Sequence, residues 1–377
     1  MKIAIDSRSA TWYHGTGIGT YTENLLRELL SLDSDNDYLL YWSGKCKDYI
    51  LKNPCKKILT SKKHHRFFQQ HFFPYNLQKN NIELYHVPQN GIGLNNEINC
   101  LKVATIHDLI PYIMPETVGR GYLCKFLKEI PNIIDSCDGL ITVSEYSKSD
   151  IMRFFPSFDP DRIFVTPLAT NFNFCPLNKE TCKNFLKEKY NINNKFILYM
   201  GGFSDRKNVH SLIEAYAKVR SSLIEDVKLV ILGSYRDKSQ KLVSMCTDLK
   251  IEDHVIFAGF IPEEDVSSFY NGCEVFVYPS FYEGFGLPPL EAMSCGTPVI
   301  CSNTTSIPEV VGDCCIPIDP YKVDSISDAM CKIIHDDTLK STLSKKGLER
   351  AKLFSWEDTA KKTINAYETI KKLSSCP

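Results

Sequence analysis

Short, almost uninterrupted apolar runs alternate with helical periodicity along this chain, and the alternation breaks once and then starts again. No other property limits the fold so severely. Runs at 2–6, 38–42, 56–60, 84–87, 102–106, 139–143 and 162–166 read as strands, with helical stretches near 18–32, 66–79, 122–136 and 145–155. Strands apolar on both faces and separated by helices belong to a parallel sheet covered on both sides. Periodicity fades over 167–194, which is rich in proline and asparagine and reads as a linker. A second series follows, with strands at 196–200, 228–232, 255–257, 274–278 and 298–301 and helices near 209–220, 239–249, 263–271 and 288–295. Closing helices near 323–335, 338–354 and 356–373 complete the chain. The expectation is an α/β protein of two doubly wound domains, 1–172 and 173–355, with helix 356–373 returning to the first. Such domains, facing one another, place ligands in an interdomain cleft at the carboxyl ends of their strands.

Composition removes several other classes. The 43% hydrophobic, 24% charged and 11% aromatic residues exclude a disordered, collagen-like or coiled-coil chain. With 44 basic and 45 acidic side chains the formal charge is -1, so there is no global argument for a nucleic-acid partner. Fifteen cysteines, odd in number and without a C-x-x-C pair, read as reduced thiols. Residues 1–10 show no charged leader or cleavage site, and no apolar run is long enough to span a bilayer, so a cytoplasmic protein is expected.

The most specific chemical signal is YPSFYEGFGLPPLEAMSCGTPVI, 278–300, which sets Glu283 eight residues before Glu291. Proline is tolerated in a first helical turn but not in a helix interior, so a helix is expected to start near Pro288. That leaves Glu283 in the loop and Glu291 in the opening turn. The amides of Phe285, Gly286 and Leu287, at the positive end of the helix, would suit a diphosphate.

The string E283GFGLPPLE291, with the following SCGTPVI and SIPEVVGD, resembles the E-x7-E motif of family 4 retaining glycosyltransferases, enzymes of GT-B fold built from two Rossmann-like domains. The likeness covers nearly the whole chain and is weakest over 45–84 and 177–194. It implies that Glu283 binds donor-sugar hydroxyls and Glu291 the nucleotide ribose. YMGGFSDRKN, 199–208, is similar to the family's basic diphosphate clamp, assigning Arg206 and Lys207 to the charge that develops on the leaving group. Some relatives carry an arginine where Gly202 stands here, so Gly202 contributes only backbone. HDLIP, 107–111, resembles the family's HD-x-x-P segment and implies a donor-sugar or acceptor contact for His107, with Asp108 orienting it.

Ser144, in VSEYSKSD, is expected to cap a helix first and to touch ligand second. GTGIGT, 15–20, is not a dinucleotide fingerprint, because Thr20 stands where G-x-G-x-x-G needs its third glycine. The family has a glycine-rich loop here, which implicates Gly17 and Gly19 in a close backbone approach to ligand. The D-x-D pairs of DSDND, 33–37, follow a helix end and read as a solvated turn, not a metal site. No metal and no cofactor are expected, because amides and cations already supply the positive field.

Residues 45–79 depart from the neutral average, with nine Lys/Arg against Asp48, a local charge of +8, interleaved with Phe67, Phe68, Phe72 and Phe73. One reading is a solvated basic face over buried phenylalanines. The other is docking onto an anionic membrane surface or a lipid-diphosphate acceptor, which would make the protein peripheral on the inner face of the cell membrane.

The reading that results is a retaining hexosyltransferase of mannosyltransferase-like type. Its donor is GDP-mannose or a UDP-hexose and its acceptor a hydroxyl of a glycan or lipid-linked glycan in cell-surface polysaccharide synthesis. The alternatives are a sugar-nucleotide epimerase or phosphorylase on the same fold, and a non-catalytic glycan-binding protein.

Overall fold

The computed structural model describes all residues except 46, 48, 51–54, 224–225, 234–236 and 376–377. The chain divides into two compact units, Met1–Leu168 with Ser355–Pro377, and Ala169–Phe354. The first division falls four residues before the expected position at 172.

The first unit carries a parallel sheet of seven strands: β1 (Lys2–Asp6), β2 (Asp37–Ser43), β3 (Lys56–Thr60), β4 (Leu84–Val87), β5 (Leu101–Ile106), β6 (Gly139–Thr142) and β7 (Ile163–Val165), in the order β3-β2-β1-β4-β5-β6-β7. The inner strands β1, β4, β5 and β6 are buried on both faces over most of their length, which is why they read as continuous apolar runs. The chain winds outward from β1 to β3, then returns to β4 and winds the other way. This makes the carboxyl edge between β1 and β4 a switch point of the kind where α/β sheets bind ligands.

Helix Trp356–Ser375 belongs to this unit. Its buried residues Trp356, Thr359, Ala360, Thr363, Ala366, Tyr367 and Ile370 form one stripe at helical spacing. Tyr367 Oη meets His86 Nδ1 of β4 at 2.7 Å, and Thr359 Oγ1 donates to Pro167 O at 2.6 Å. Gly139 lets the helix lie close, because a Cβ there would fall 2.3 Å from Ile370 Cδ1 and the Ile370 side chain would have to shift.

The second unit repeats the plan with β8 (Phe196–Met200), β9 (Lys228–Leu232), β10 (Val255–Gly259), β11 (Val275–Tyr278), β12 (Val299–Ser302) and β13 (Ile316–Ile318), ordered β10-β9-β8-β11-β12-β13 and again parallel. Its switch point lies between β8 and β11. β13 was not expected, because Pro317 argues against a strand. It is an edge strand of three residues paired only with β12, the setting in which a missing N–H is tolerated. The stretch read as linker also holds helix Lys179–Tyr190, capped by the Asn178 side chain and closed by Asn191 in the left-handed region. Its lysines and glutamates dilute the apolar period to Cys182 and Leu186, its two buried residues.

Candidate active site

In the second unit the two chain segments leaving the switch-point strands meet. After β8, Gly201 and Gly202 lead into a single turn, Asp205–Lys207, and then Asn208, in the left-handed region, opens helix Val209–Val219. After β11 the chain runs through 279–286 into helix Leu287–Ser294. Buried Asn208 ties the segments together by donating through Nδ2 to Pro279 O (3.1 Å) and Pro320 O (2.7 Å), while Phe281 N donates to Arg206 O at 2.8 Å.

Neighbouring strands thereby bring residues 76 positions apart into contact. Lys207 Nζ lies 2.7 Å from Glu283 Oε1 and donates to Tyr278 Oη at 2.6 Å, and Tyr278 Oη in turn donates to Glu283 Oε1 at 3.0 Å. Arg206 Nη1 lies 2.8 Å from Glu283 Oε2 and donates to Tyr282 O at 2.5 Å. The Glu283 backbone is fixed at both ends. Its N–H donates to Thr305 Oγ1 and its carbonyl accepts from Ser306 Oγ, which also reaches Phe285 O. Burial alone would push the Glu283 carboxyl up. Lys207 and then Arg206 overcome that and hold it down at about 2. It is therefore a carboxylate at every physiological pH and works as a hydrogen-bond acceptor, not a proton donor.

Glu291 is in the opposite state. It sits on helix Leu287–Ser294, half-buried, and accepts from Tyr270 Oη at 3.0 Å. Burial pushes its pKa up to about 7, the Tyr270 bond opposing and nearby Glu263 adding to the rise. The helix starts at Leu287, one residue before the expected proline, with Gly286 as N-cap at φ 109°. Pro288 and Pro289 carry no N–H, so the amides free at this helix start come from Gly286 and Leu287. Phe285 lies just before the cap, and its buried ring meets Phe354 edge-on. Gly202 is exposed and its carbonyl accepts from Tyr199 Oη at 2.9 Å. A Cβ there would meet nothing within 4 Å.

In the first unit, His107 follows β5 and is buried. Its Nε2 lies 2.9 Å from Pro88 O, and since a carbonyl only accepts, Nε2 carries the proton and Nδ1 is the ring's acceptor. Burial lowers its pKa to about 4 against the opposing Pro88 bond, so the ring is neutral. Its backbone N–H donates to Asn90 Oδ1, and its carbonyl accepts from Ser147 Oγ. Asp108 Oδ1 accepts from Ile110 N at 3.1 Å, which shapes the turn after His107. Ser144 caps helix Glu145–Phe154 by accepting from Ser147 N at 3.0 Å. Tyr21, on helix Gly17–Leu32, packs edge-on against the His107 ring with centroids 4.9 Å apart. The carboxyl ends of β5 and β6 thus share one small assembly with helix Gly17–Leu32.

Gly17 and Gly19 both lie in the first turn of helix Gly17–Leu32, which Thr16 caps and which starts one residue before the expected position at 18. A Cβ on Gly19 would fall 2.1 Å from Tyr13 O, so the close approach it permits is to the chain's own backbone. Gly17 has nothing within 4 Å. The turn at 33–37 is organised by Asp33, whose carboxylate accepts from Asp35 N, Asn36 N, Asn36 Nδ2 and Tyr38 Oη.

Sequence reasoning did not assign roles to Tyr278, Tyr270 or Asn208. Tyr278 and Asn208 lie inside the two quoted motifs, and a hydroxyl or amide at a strand end or helix start was the available signal. Tyr270 had none.

Two parallel sheets of seven and six strands, with cations and a carboxylate converging at a switch point of the second, have the GT-B architecture. Residues 183–350 match the family described as "Glycosyl transferases group 1". O-antigen chain mannosyltransferase B of Escherichia coli is 37% identical over 268 residues, 71% of this chain and 70% of that protein. The chain belongs to this family of group 1 glycosyltransferases and is mannosyltransferase-like within it. The serotype-specific mannosyltransferase WbdA of Escherichia coli is 29% identical over 272 residues, 71% of this chain but 33% of that longer protein. Among solved structures, sucrose-phosphate synthase from Thermosynechococcus elongatus superposes with a TM-score of 0.77 at 21% identity, covering 99% of this chain and 100% of that one. Anabaena HepE, in complex with UDP and glucose, gives a TM-score of 0.75 at 16% identity and covers 98% and 100%. These two likenesses concern the fold alone.

Proposed function

We propose that this chain transfers a hexose, mannose in preference to others, from a nucleoside diphosphate sugar to a hydroxyl of a cell-surface polysaccharide or its lipid-linked precursor, with retention at the anomeric carbon. The observation that carries the reading is the meeting of Arg206, Lys207 and Glu283 at the carboxyl edge between β8 and β11. The names of the mannosyltransferase relatives support the sugar and the class of product, and favour GDP-mannose over a UDP-hexose as donor. The UDP and glucose in HepE support a nucleotide-linked donor.

The chemistry follows from the charges. In the transfer the bond from C1 to the diphosphate oxygen breaks, the acceptor oxygen bonds to C1, and its proton passes to an oxygen of the leaving diphosphate. Negative charge grows on that group, and preorganised cations stabilise it with no reorganisation at the moment of reaction. Arg206 and Lys207 are held in place by Glu283, Tyr282 O and Tyr278. The amides of Gly286 and Leu287 add to the same field, and Gly202 lets backbone approach it. Glu283, fixed as a carboxylate, accepts from donor-sugar hydroxyls. Glu291, able to donate or accept near neutral pH, suits the paired hydroxyls of a ribose. In the first unit, His107 accepts from a sugar hydroxyl through Nδ1, on a loop shaped by Asp108 and Ser144. No metal takes part.

The test is a thermal-shift screen of nucleotide sugars, followed by product analysis with labelled donor and a glycan hydroxyl acceptor. GDP-mannose should raise the midpoint, since a ligand of the folded state stabilises it. The product should be an α-mannoside formed equally well in a chelator. Donor turnover unchanged in Glu283→Ala and Lys207→Ala would remove the site assignment. Recovery of an epimerised nucleotide sugar, or dependence on inorganic phosphate, would replace the reaction.

A further inference from the structure

The basic segment of the first unit acquires a definite shape in the structure. Asp48 and Lys52 lie outside the described residues, and Lys47 is paired with Glu23. The remaining charge surrounds β3, the edge strand of the sheet, and a helical run made of His65–Phe67, a wider turn Phe68–Phe72, and Phe73–Lys79.

This run has two faces. Phe73 and Leu77 are buried, and Phe68 and Phe72 pack against the same cluster, which holds Tyr41 and Tyr85. Three of the four phenylalanines are therefore core residues, as the plainer reading of the sequence requires. The opposite stripe, at three- and four-residue spacing, is Arg66, Phe67, Gln70, His71, Tyr75 and Lys79, all exposed. Phe67 is 55% and Tyr75 60% exposed. Lys56, Lys62 and Lys63 are exposed beside them. The packing of the unit accounts for the inner stripe. It gives no reason for large apolar side chains on the outer one.

Clustered cations alone would suit any polyanion. Apolar side chains standing among cations suit an interface that is anionic at its surface and apolar a few ångströms beneath, because each kind of group then finds its own layer. We infer that the outer stripe of the helical run, with Phe67 and Tyr75 as inserting side chains and Lys56, Lys62, Lys63, Arg66 and Lys79 as headgroup contacts, docks this protein on an anionic phospholipid bilayer. Among the described residues no helix is long and apolar enough to cross a membrane, so the contact is peripheral.

The inference is tested on the full chain by cosedimentation with vesicles of phosphatidylcholine alone and of phosphatidylcholine with phosphatidylglycerol. Binding to the anionic vesicles only, falling as salt rises, is expected. Each cation near the surface contributes roughly fivefold in binding, so Lys62→Gln, Lys63→Gln and Arg66→Gln together should reduce it on the order of a hundredfold. Phe67→Ser with Tyr75→Ser should reduce it at unchanged net charge. These side chains are exposed, so the thermal midpoint should hold in both variants. If a variant fails to fold, the lipid-charge and salt dependence of the unaltered protein decides. Equal binding to neutral and anionic vesicles, or no binding, overturns the inference. Full binding by the Phe67/Tyr75 variant, or equally strong and salt-sensitive binding to an RNA oligomer that displaces the vesicles, shows a general polyanion surface and also overturns it. Donor turnover in solution stands apart from all of these outcomes, so failure here leaves the proposed transfer reaction untouched.

Discussion

Replacing Glu283 by Gln should cost stability in the second unit by an amount that depends on pH in a defined way. The carboxyl falls from an ordinary 4.5 to about 2 although it is buried. A shift of that size corresponds to about 3 kcal/mol of preference for the ionised folded state. The side chains of Glu283, Arg206 and Lys207 are only 10%, 15% and 14% exposed, so water screens little of it. Because the folded pKa is depressed, the contribution is complete above the unfolded value near 4.5 and is lost as pH falls toward 2. Glu283→Gln should therefore be less stable than the parent by about 3 kcal/mol at pH 7, and the gap should shrink by more than half near pH 3. Leaving two neighbouring cations without their carboxylate acts in the same direction. Tryptophan fluorescence would miss the effect, because Trp12, Trp42 and Trp356 all belong to the other unit. Hydrogen exchange of the β8 and β11 amides along a urea series reads it directly. No gap at pH 7, or an equal gap at both pH values, would refute the view that the two cations hold Glu283 ionised.

Further outcomes follow from the same geometry. Lys207→Met should lower kcat for transfer by about 10²–10³, as loss of one preorganised charge donor does elsewhere, and a single-turnover assay showing full rate would count against its role. Glu291→Gln should flatten the rise in donor KM expected above pH 7, where Glu291 loses its proton. The same variant should raise the thermal midpoint of the ligand-free protein at pH 8, since the folded state raises this pKa and therefore pays for the ionised form. Gly19→Ala should lower the midpoint by several degrees, because the new Cβ cannot share space with Tyr13 O, whereas Gly17→Ala should leave it unchanged. Equal midpoints for the two alanine variants would contradict the placement of the first helical turn.

Much of the fold was legible because inner parallel strands, buried on both faces, leave apolar runs that few other elements imitate. β13 escaped because an edge position forgives the proline that normally rules a strand out, and helix Lys179–Tyr190 because only Cys182 and Leu186 of it are buried. At the site, what depended on local rules could be read. Two prolines tolerated only in a first turn placed the start of helix Leu287–Ser294 within one residue. What depended on neighbours in the sheet could not. Tyr278 is 71 residues from Lys207, a pairing that does not exist until the strand order sets β8 beside β11, and Tyr270, 21 residues from Glu291, meets it only when helices Glu263–Gly272 and Leu287–Ser294 pack together. Gly17 and Gly19 look alike in the sequence, but only Gly19 is needed by the chain's own backbone, at Tyr13 O, while Gly17 faces open space.

The two glutamates of the E-x7-E string show how a short spacing can encode two chemistries. Gly286, in the left-handed region, and the prolines after it end the loop and begin the helix between them, so the carboxylates cannot share an environment. Glu283 stays on the loop at the end of β11, where the adjacent strand β8 delivers Arg206 and Lys207, and it is ionised. Glu291, one turn into the helix, meets Tyr270 from helix Glu263–Gly272, and burial, with Glu263 nearby, outweighs that bond and pushes its pKa up to about 7, so it holds its proton near neutrality. Shortening the string by a residue would turn Glu291 by about 100° around the helix axis and take it off Tyr270. Lengthening the loop would loosen Glu283 from cations whose own positions are set by Asn208. The separation is thus fixed at one end by the sheet and at the other by a helix face, and the opposite protonation states of the pair are a consequence of that.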